Sequence, residues 1–190
     1  MLAFVPYPFF VQQGQQLHLT PLVQADTAET GTQQKWTLVA KTGRITAHAS
    51  MAGFTLLSIA GYAPEFVRHA ALEGWALPAD VKIGSSGQIL SALRRVSAGE
   101  PVAVLLDQTQ ALAIPTLPFA SDLKTVTQSP DLPVALIAVV GSRLPAARVK
   151  TLQEGLLKMG HGPRAGVDSL TPLHLRGFVL PKLPSRAPAL

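Results

Sequence analysis

Short apolar runs rich in β-branched residues alternate with stretches of helical period along most of the chain. The apolar runs predict strands, and stretches with apolar residues at three- and four-residue intervals predict helices. Their alternation is typical of an α/β fold built on mixed, largely parallel sheets. The predicted strands cover residues 2–5, 18–23, 35–41, 54–58, 80–83, 102–106, 123–127 and 134–140.

Three helices are predicted between and after these strands. Pro64 fits the first turn of a helix, Glu65 complements its amino-terminal dipole, and Gly74 marks its end. Residues 88–97 form the next predicted helix, and residues 145–159 form the last. The apolar positions expected to face inward are Phe66, Val67, Ala70, Ala71 and Leu72 in the first helix, and Ile89, Leu90, Leu93 and Val96 in the second.

Composition narrows the classes of protein. With 190 residues, 47% hydrophobic and 14% charged, the chain is expected to fold around a core. No apolar run approaches the roughly 20 residues that cross a bilayer. The absence of cysteine excludes disulfides, thiolate catalysis and cysteine-based metal sites.

The net charge of +5 is concentrated late in the chain, because residues 141–190 hold eight Lys or Arg against two acidic residues. No aromatic residues are interleaved with these cations and no nucleic-acid-binding motif accompanies them. A solvated basic face is therefore expected, and nucleic-acid binding is not. The cations are Arg143, Arg148, Lys150, Lys158, Arg164, Arg176, Lys182 and Arg186.

Three short segments follow one another along the chain: Ser58–Tyr62, Gly99–Asp107 and Ser129–Pro133. In this order and spacing the chain resembles the solute-binding proteins of phosphate, phosphite and phosphonate ABC transporters. The resemblance implies a type 2 periplasmic-binding-protein fold with two lobes and a small oxyanion ligand between them. It also implies a transporter permease as partner, an extracytoplasmic location and no cofactor.

On that resemblance, residues 42–128 form the second lobe, while residues 1–41 and 129–190 belong to the first. The family has an earlier βαβ stretch in the first lobe, for which this sequence shows no counterpart, so that lobe is expected to be incomplete. The opening residues also lack the features of a signal peptide. An uncovered sheet edge would follow, and self-association through that edge is expected.

The turn Ser58–Tyr62 is the first candidate ligand site, because a helix amino terminus presents amides to an anion. The Ser58 hydroxyl and the amides of Gly61 and Tyr62 are the expected donors. Ala60 stands where the family usually has another hydroxyl. The alternative is an ordinary strand-to-helix connection.

Four further candidates each have a structural alternative. Ser85 and Ser86 precede a helix start, where they would contact the ligand or only cap the helix. Asp107 follows a strand at the end where α/β sheets bind ligands, yet it would equally cap the next helix. Tyr7, between two prolines, would contact ligand or pack on a turn.

Enzyme chemistry finds little support. The five histidines never form a zinc-binding pair on one helix, and no G-x-S-x-G motif is present. We therefore expect a binding protein that acts without a covalent step. A sensor domain, a relative that has lost its ligand, and an enzyme reusing the fold, with Asp107 as its acid or base, remain alternatives.

Overall fold

The computed structural model describes residues 1–142, 144–160 and 170–184. The chain divides into two compact units, here called unit 1 and unit 2. Unit 1 comprises Met1–Gln34 and Asp131–Leu190, and unit 2 is Lys35–Pro130. No helix among the described residues is long and apolar enough to span a membrane.

The described residues of unit 1 form a four-stranded sheet in the order β1-β10-β2-β11, in which every neighbouring pair is antiparallel. The sheets of the predicted α/β fold are thus mixed across the chain, and the parallel pairs lie in unit 2. The strands β1 and β2 run parallel to each other, but β10, far along the chain, lies between them and runs the other way. The strands are β1 (Leu2–Pro6), β2 (Leu19–Thr27), β10 (Ala135–Val140) and β11 (Leu175–Val179), and a separate pair joins β3 (Gln33–Gln34) to β9 (Leu132–Pro133).

The helix α1 (Tyr7–Gln13) joins β1 to β2, and α5 (Ala146–Lys158) packs on the unit 1 sheet. The α5 helix lies within one residue of its predicted span at each end. The Gln153 side-chain amide donates to the Leu22 carbonyl at 2.7 Å, which ties α5 to β2. The core here includes Leu22, Val139 and Phe178, with Val149, Leu152 and Leu156 of α5 against it.

Two sequence expectations meet different outcomes in unit 1. The charge-free run at residues 134–140 is confirmed as an interior strand, because β10 lies between β1 and β2. The strand β11 was not predicted, since Arg176 and Gly177 interrupt its apolar pattern, and a bulge occurs there. The basic residues Arg148, Lys150, Lys158, Arg176 and Lys182 are exposed, whereas Arg143, Arg164 and Arg186 lie outside the described residues.

Unit 2 contains a five-stranded sheet in the order β6-β5-β7-β4-β8. The strand β5 runs parallel to both β6 and β7, while β4 runs antiparallel to β7 and β8. These pairings place β4 in unit 2, although the sequence division put it in the first lobe. The strands are β4 (Thr37–Lys41), β5 (Thr55–Ser58), β6 (Lys82–Ser85), β7 (Val102–Leu106) and β8 (Leu123–Gln128).

A helix follows each of the three parallel strands. After β5 comes α2 (Pro64–Phe66), which continues as a π-helical segment, Val67–Ala71. After β6 comes α3 (Ile89–Ser97), and after β7 comes α4 (Gln108–Ala113). All five positions of the predicted apolar stripe in the first of these helices are buried.

One inward-facing position in α3 was predicted wrongly. Leu90 is 47% exposed, whereas Ala92, Leu93 and Val96 are buried in the core formed with β4 and β7. Ile89, Ala92, Leu93 and Val96 share one stripe at three- and four-residue spacing, and Leu90 lies about 100° away from Ile89 around the helix.

Candidate ligand-binding site

Seven of the eight predicted site residues lie at the carboxyl ends of three neighbouring strands of unit 2, β6, β5 and β7. Ser58 and Ser85, the last residues of β5 and β6, are direct register partners. The chain leaves β5 for β6 on one side, and then returns past β5 to β7 on the other. Open α/β sheets bind ligands at such a reversal, outside the carboxyl ends of the strands.

The side chain of Ser58 is buried at the carboxyl end of β5, where it bonds to the following loop. Ser58 is fully buried, and its hydroxyl oxygen accepts a hydrogen bond from the Ala60 amide at 3.1 Å. Its carbonyl accepts hydrogen bonds from the amides of Gly61 at 3.1 Å and Ser86 at 2.9 Å. The Gly61 amide, one of the expected ligand donors, is therefore already used, and the Ser58 hydroxyl has no exposed surface with which to meet a ligand.

Ala60 and Gly61, in the loop after β5, are also buried. Ala60 is 1% exposed. A Cβ atom on Gly61 would overlap the carbonyl of Gly84, near the end of β6. Together with the hydrogen bond from Ser86 to Ser58, this contact fixes the loop after β5 against the loop after β6.

Tyr62 and Ser85 are the predicted residues that present accessible donors. Tyr62 is 47% exposed, and within the described part of the chain its backbone amide has no hydrogen-bond acceptor. Partial burial raises the pKa of the Tyr62 hydroxyl above its ordinary value of 10.0, so this group is a neutral donor near pH 7. The Ser85 side chain is exposed, and no described residue bonds to its hydroxyl.

The helices after β5 and β6 begin without a capping side chain. The residues that precede them are Ala63 for α2 and Gln88 for α3, and neither makes a side-chain cap. Ser86 is not a cap of α3, because its hydroxyl accepts from the Gln88 amide at 3.2 Å in the preceding turn. The first turn of α2 does hold an acidic residue, Glu65, whereas the first turn of α3 holds none.

The helix after β7 is closed by Asp107. The Asp107 carboxylate accepts from the Gln110 amide at 2.8 Å, and the Gln110 side-chain oxygen accepts from the Asp107 amide at 3.2 Å. This reciprocal pair is a capping box. Of the two interpretations of Asp107, the structure shows the cap.

Tyr7 lies in unit 1, apart from the other predicted residues. It begins α1, is 1% exposed, and its backbone amide donates to the Val134 carbonyl at 3.1 Å. Its ring stacks on Phe10 with centroids 6.3 Å apart. Tyr7 is a packed core residue of unit 1.

Two features of unit 2 were not predicted from the sequence. One is the uncapped start of α3 at Gln88, which a missing Ser, Thr, Asp or Asn before the helix could have signalled. The other is Trp36, whose indole N–H is buried without a partner among the described residues, while its ring meets Phe66 edge-on at 5.2 Å. No group of three potential metal ligands occurs in the described part of the chain.

Comparison with known proteins relates this geometry to a fold. No family model matches the sequence, and no curated protein matches it significantly. Solved structures do match. A Xanthomonas citri protein bound to ATP has 16% identity and a TM-score of 0.67, and the match covers 98% of this chain and 73% of that one.

Two further matches are phosphonate-related. A binding protein component of an ABC phosphonate transporter from Pseudomonas aeruginosa has 15% identity and a TM-score of 0.56, over 94% of this chain and 62% of that one. PhnD1 from Prochlorococcus marinus, in complex with methylphosphonate, has 14% identity and a TM-score of 0.51, over 95% of this chain and 72% of that one. At these identities the likeness shows the fold, a mixed α/β fold of the type 2 periplasmic-binding-protein kind.

Proposed function

We propose that this protein is an extracytoplasmic solute-binding protein that captures a phosphate- or phosphonate-like oxyanion without covalent chemistry. One observation carries the proposal: α3, the helix after β6, starts uncapped beside the exposed donors Tyr62 and Ser85, whereas the helix after β7 is closed by Asp107. An uncapped helix start offers unpaired amides and about half a positive charge to an anion.

The donors at this edge are neutral. The loop residues 59–63 and 86–88 contain no Lys or Arg. An anion there would be held by the Tyr62 amide and hydroxyl, the Ser85 hydroxyl and the first amides of α3. Such a site recognises oxygen atoms that accept several hydrogen bonds, and a tetrahedral oxyanion supplies them.

The choice of a phosphorus oxyanion rests on the similar structures. One of those proteins is bound to ATP, one is in complex with methylphosphonate, and one is a component of an ABC phosphonate transporter. The same comparison supports an ABC transporter permease as the partner and an extracytoplasmic location. For this chain each of these assignments is a proposal.

The affinity of the residues after β5 and β6 for an anion is expected to be low. A helix terminus contributes about 0.3–1 kcal/mol toward an exposed anion and up to about 2 kcal/mol when partly buried. One such terminus, at α3, and a few neutral hydrogen bonds lead to dissociation constants of about a millimolar or weaker. Amide NMR titration is suited to this range.

The test is a titration of the chain with methylphosphonate and with inorganic phosphate. We expect the amides of Tyr62 and of residues 89–91 to shift first. Ser85→Ala should weaken the response several-fold, because it removes an exposed hydroxyl donor. The matched control is Ser121→Ala, since Ser121 is exposed in the same unit but precedes β8, at the opposite edge of the sheet.

Two results would contradict the proposed site. The first is an equal response of the Ser85 and Ser121 variants. The second is a set of shifts centred on the exposed cations Arg148, Lys150 and Lys158 that disappears at about 0.15 M salt. That pattern would mean that diffuse basic charge attracts the anion.

A further inference from the structure

Trp36 carries a buried hydrogen-bond donor that no described residue uses. The residue is 2% exposed, and its indole N–H has no acceptor among the described residues. An indole nitrogen can only donate. Buried donors in folded proteins are nearly always paired, because leaving one unpaired costs free energy. The acceptor of the Trp36 N–H is therefore expected to come from outside the described part of the chain.

Trp36 lies at the same end of the unit 2 sheet as the candidate ligand site. Thr37 is the register partner of Leu106 in an antiparallel pair, so Trp36 is opposite Asp107, the residue that follows β7. Because β5, β6 and β7 run parallel, their carboxyl ends share one end of the sheet, and Ser85 lies there. The indole of Trp36 is thus attached to the end of the sheet that carries the exposed donors.

The indole ring is on the face of the sheet that α2 covers. Val39 packs against α3, and side chains three positions apart on a strand point to opposite faces. Trp36 is three positions before Val39, so its ring lies on the face away from α3. There the buried ring of Phe66, in α2, meets it edge-on with centroids 5.2 Å apart. Phe66 follows Tyr62 by four residues, so the indole packs against the helix that begins after the Tyr62 loop.

The backbone of Trp36 is held in place by Ser129. The Trp36 amide donates to the Ser129 hydroxyl oxygen at 2.8 Å, and the Trp36 carbonyl accepts from the Ser129 amide at 2.8 Å. Ser129 is itself buried. Both backbone groups are paired and the ring is packed on Phe66, so the side chain is not free to turn toward a distant acceptor. The acceptor must therefore approach the N–H.

Trp75 provides a comparison within the same unit, because its indole N–H is also buried without an acceptor among the described residues. Trp75 lies between the segment Val67–Ala71 and β6, and its ring meets His48 edge-on at 6.4 Å. His48 precedes β5. Both residues therefore lie toward the amino ends of the parallel strands. Of the two tryptophans, Trp36 is the one at the end where open α/β sheets bind ligands.

We propose that the Trp36 indole N–H is a further donor of the ligand site and that an oxygen of the bound oxyanion accepts its hydrogen bond. This inference rests on the proposed function, since it names one more group that would hold the same ligand. The other donors of the site are also neutral. The N–H is shielded from solvent, so the bond lies in a water-poor environment, where it is stronger than a bond at the surface. We expect the side chains that cover the N–H to shift when the ligand enters.

The Phe66 ring is an alternative acceptor within the protein. An N–H that points at an aromatic face makes a weak hydrogen bond, whereas a bond to a charged oxygen is strong. With the Phe66 ring as its acceptor, the Trp36 N–H would contribute to packing and would not affect ligand binding. The two acceptors therefore predict different results in the same experiments.

The first test follows the indole protons by NMR during a titration with methylphosphonate. The chain has two tryptophans, so Trp75→Phe assigns both indole signals. The Trp36 signal should move downfield, because a hydrogen bond to an oxyanion deshields the proton, while the Trp75 signal should stay in place. An unmoved Trp36 signal, beside shifting amides of Tyr62 and residues 89–91, would overturn this inference and leave the proposed function standing. No response at any of these positions would overturn both.

The second test compares the affinities of two variants for methylphosphonate. Trp36→Phe removes the N–H but keeps an aromatic ring against Phe66, and it should weaken binding about three- to tenfold, the usual effect of one lost hydrogen bond. Trp75→Phe is the matched control, because it removes the same group at the other end of the sheet and should leave the affinity unchanged. Equal affinities of both variants and the wild type would overturn the proposal. If Trp36→Phe does not fold, the indole titration of the wild type decides alone.

Discussion

Gly61 lies against the backbone carbonyl of Gly84, so closely that a Cβ atom on Gly61 would overlap the Gly84 oxygen. The atom in the way belongs to the backbone of β6, so it cannot rotate aside. This contact joins the loops after β5 and β6, which carry the exposed donors Tyr62 and Ser85. The two loops of the candidate site are therefore held together by a close backbone contact that only a glycine at position 61 permits.

Gly61→Ala is expected to destabilise the protein by about 1–3 kcal/mol, the usual cost of forcing extra volume into a packed site. Gly87→Ala is the matched control, because a Cβ on Gly87 would meet no atom within 4 Å. That variant should stay within about 0.5 kcal/mol of the wild type. Chemical denaturation measures both, and equal stabilities for the two variants would show that the loops adjust freely.

Asp107→Ala should destabilise the protein by about 0.5–2 kcal/mol, because it removes the cap of α4. Asp107→Asn should be close to neutral, since an asparagine oxygen also caps a helix. Methylphosphonate binding should be retained in Asp107→Asn. A strong loss of binding in Asp107→Asn, with stability unchanged, would instead return Asp107 to the ligand site.

Gln88→Asp is expected to affect stability and binding in opposite directions. A carboxylate at the start of α3 interacts favourably with the helix dipole, which contributes about 0.3–1 kcal/mol of stability. The same charge would repel an anion at that helix start. The melting temperature should therefore rise, while the phosphate-induced NMR shifts of the amides of residues 89–91 disappear. Unchanged amide shifts would argue against anion binding at α3.

Tyr62 should make stability fall at high pH. Its pKa is raised in the folded protein by burial, so the folded state holds this proton more tightly than the unfolded state does. The resulting stability is present below the ordinary value of 10.0 and is lost as the pH rises through the raised pKa. Melting temperatures should therefore fall more steeply above about pH 10 for the wild type than for Tyr62→Phe. Parallel slopes would contradict this linkage.

The local pattern of apolar residues and prolines was sufficient to locate most helices and strands along the chain. β-branched runs located β7 to the residue, and proline and helical spacing located α5 within one residue at each end. These signals depend on neighbours within about four positions along the chain, so they can be read without knowing the partners. The strand β11 escaped because Arg176 and the bulge beside it interrupt the period.

Tertiary structure decided strand direction and the fate of the site residues. The strands β10 and β4 lie between strands that the local pattern would place side by side, and that arrangement depends on distant pairing. Ser58 has the residue type of a ligand donor, but its neighbours in space bury it and use its bonds. Asp107 is committed to Gln110, while Tyr62 and Ser85 remain accessible. The sequence by itself determined which groups could donate or accept a hydrogen bond. Only long-range packing determined which of them are left to meet a ligand, because burial and partner choice depend on residues far apart in the chain.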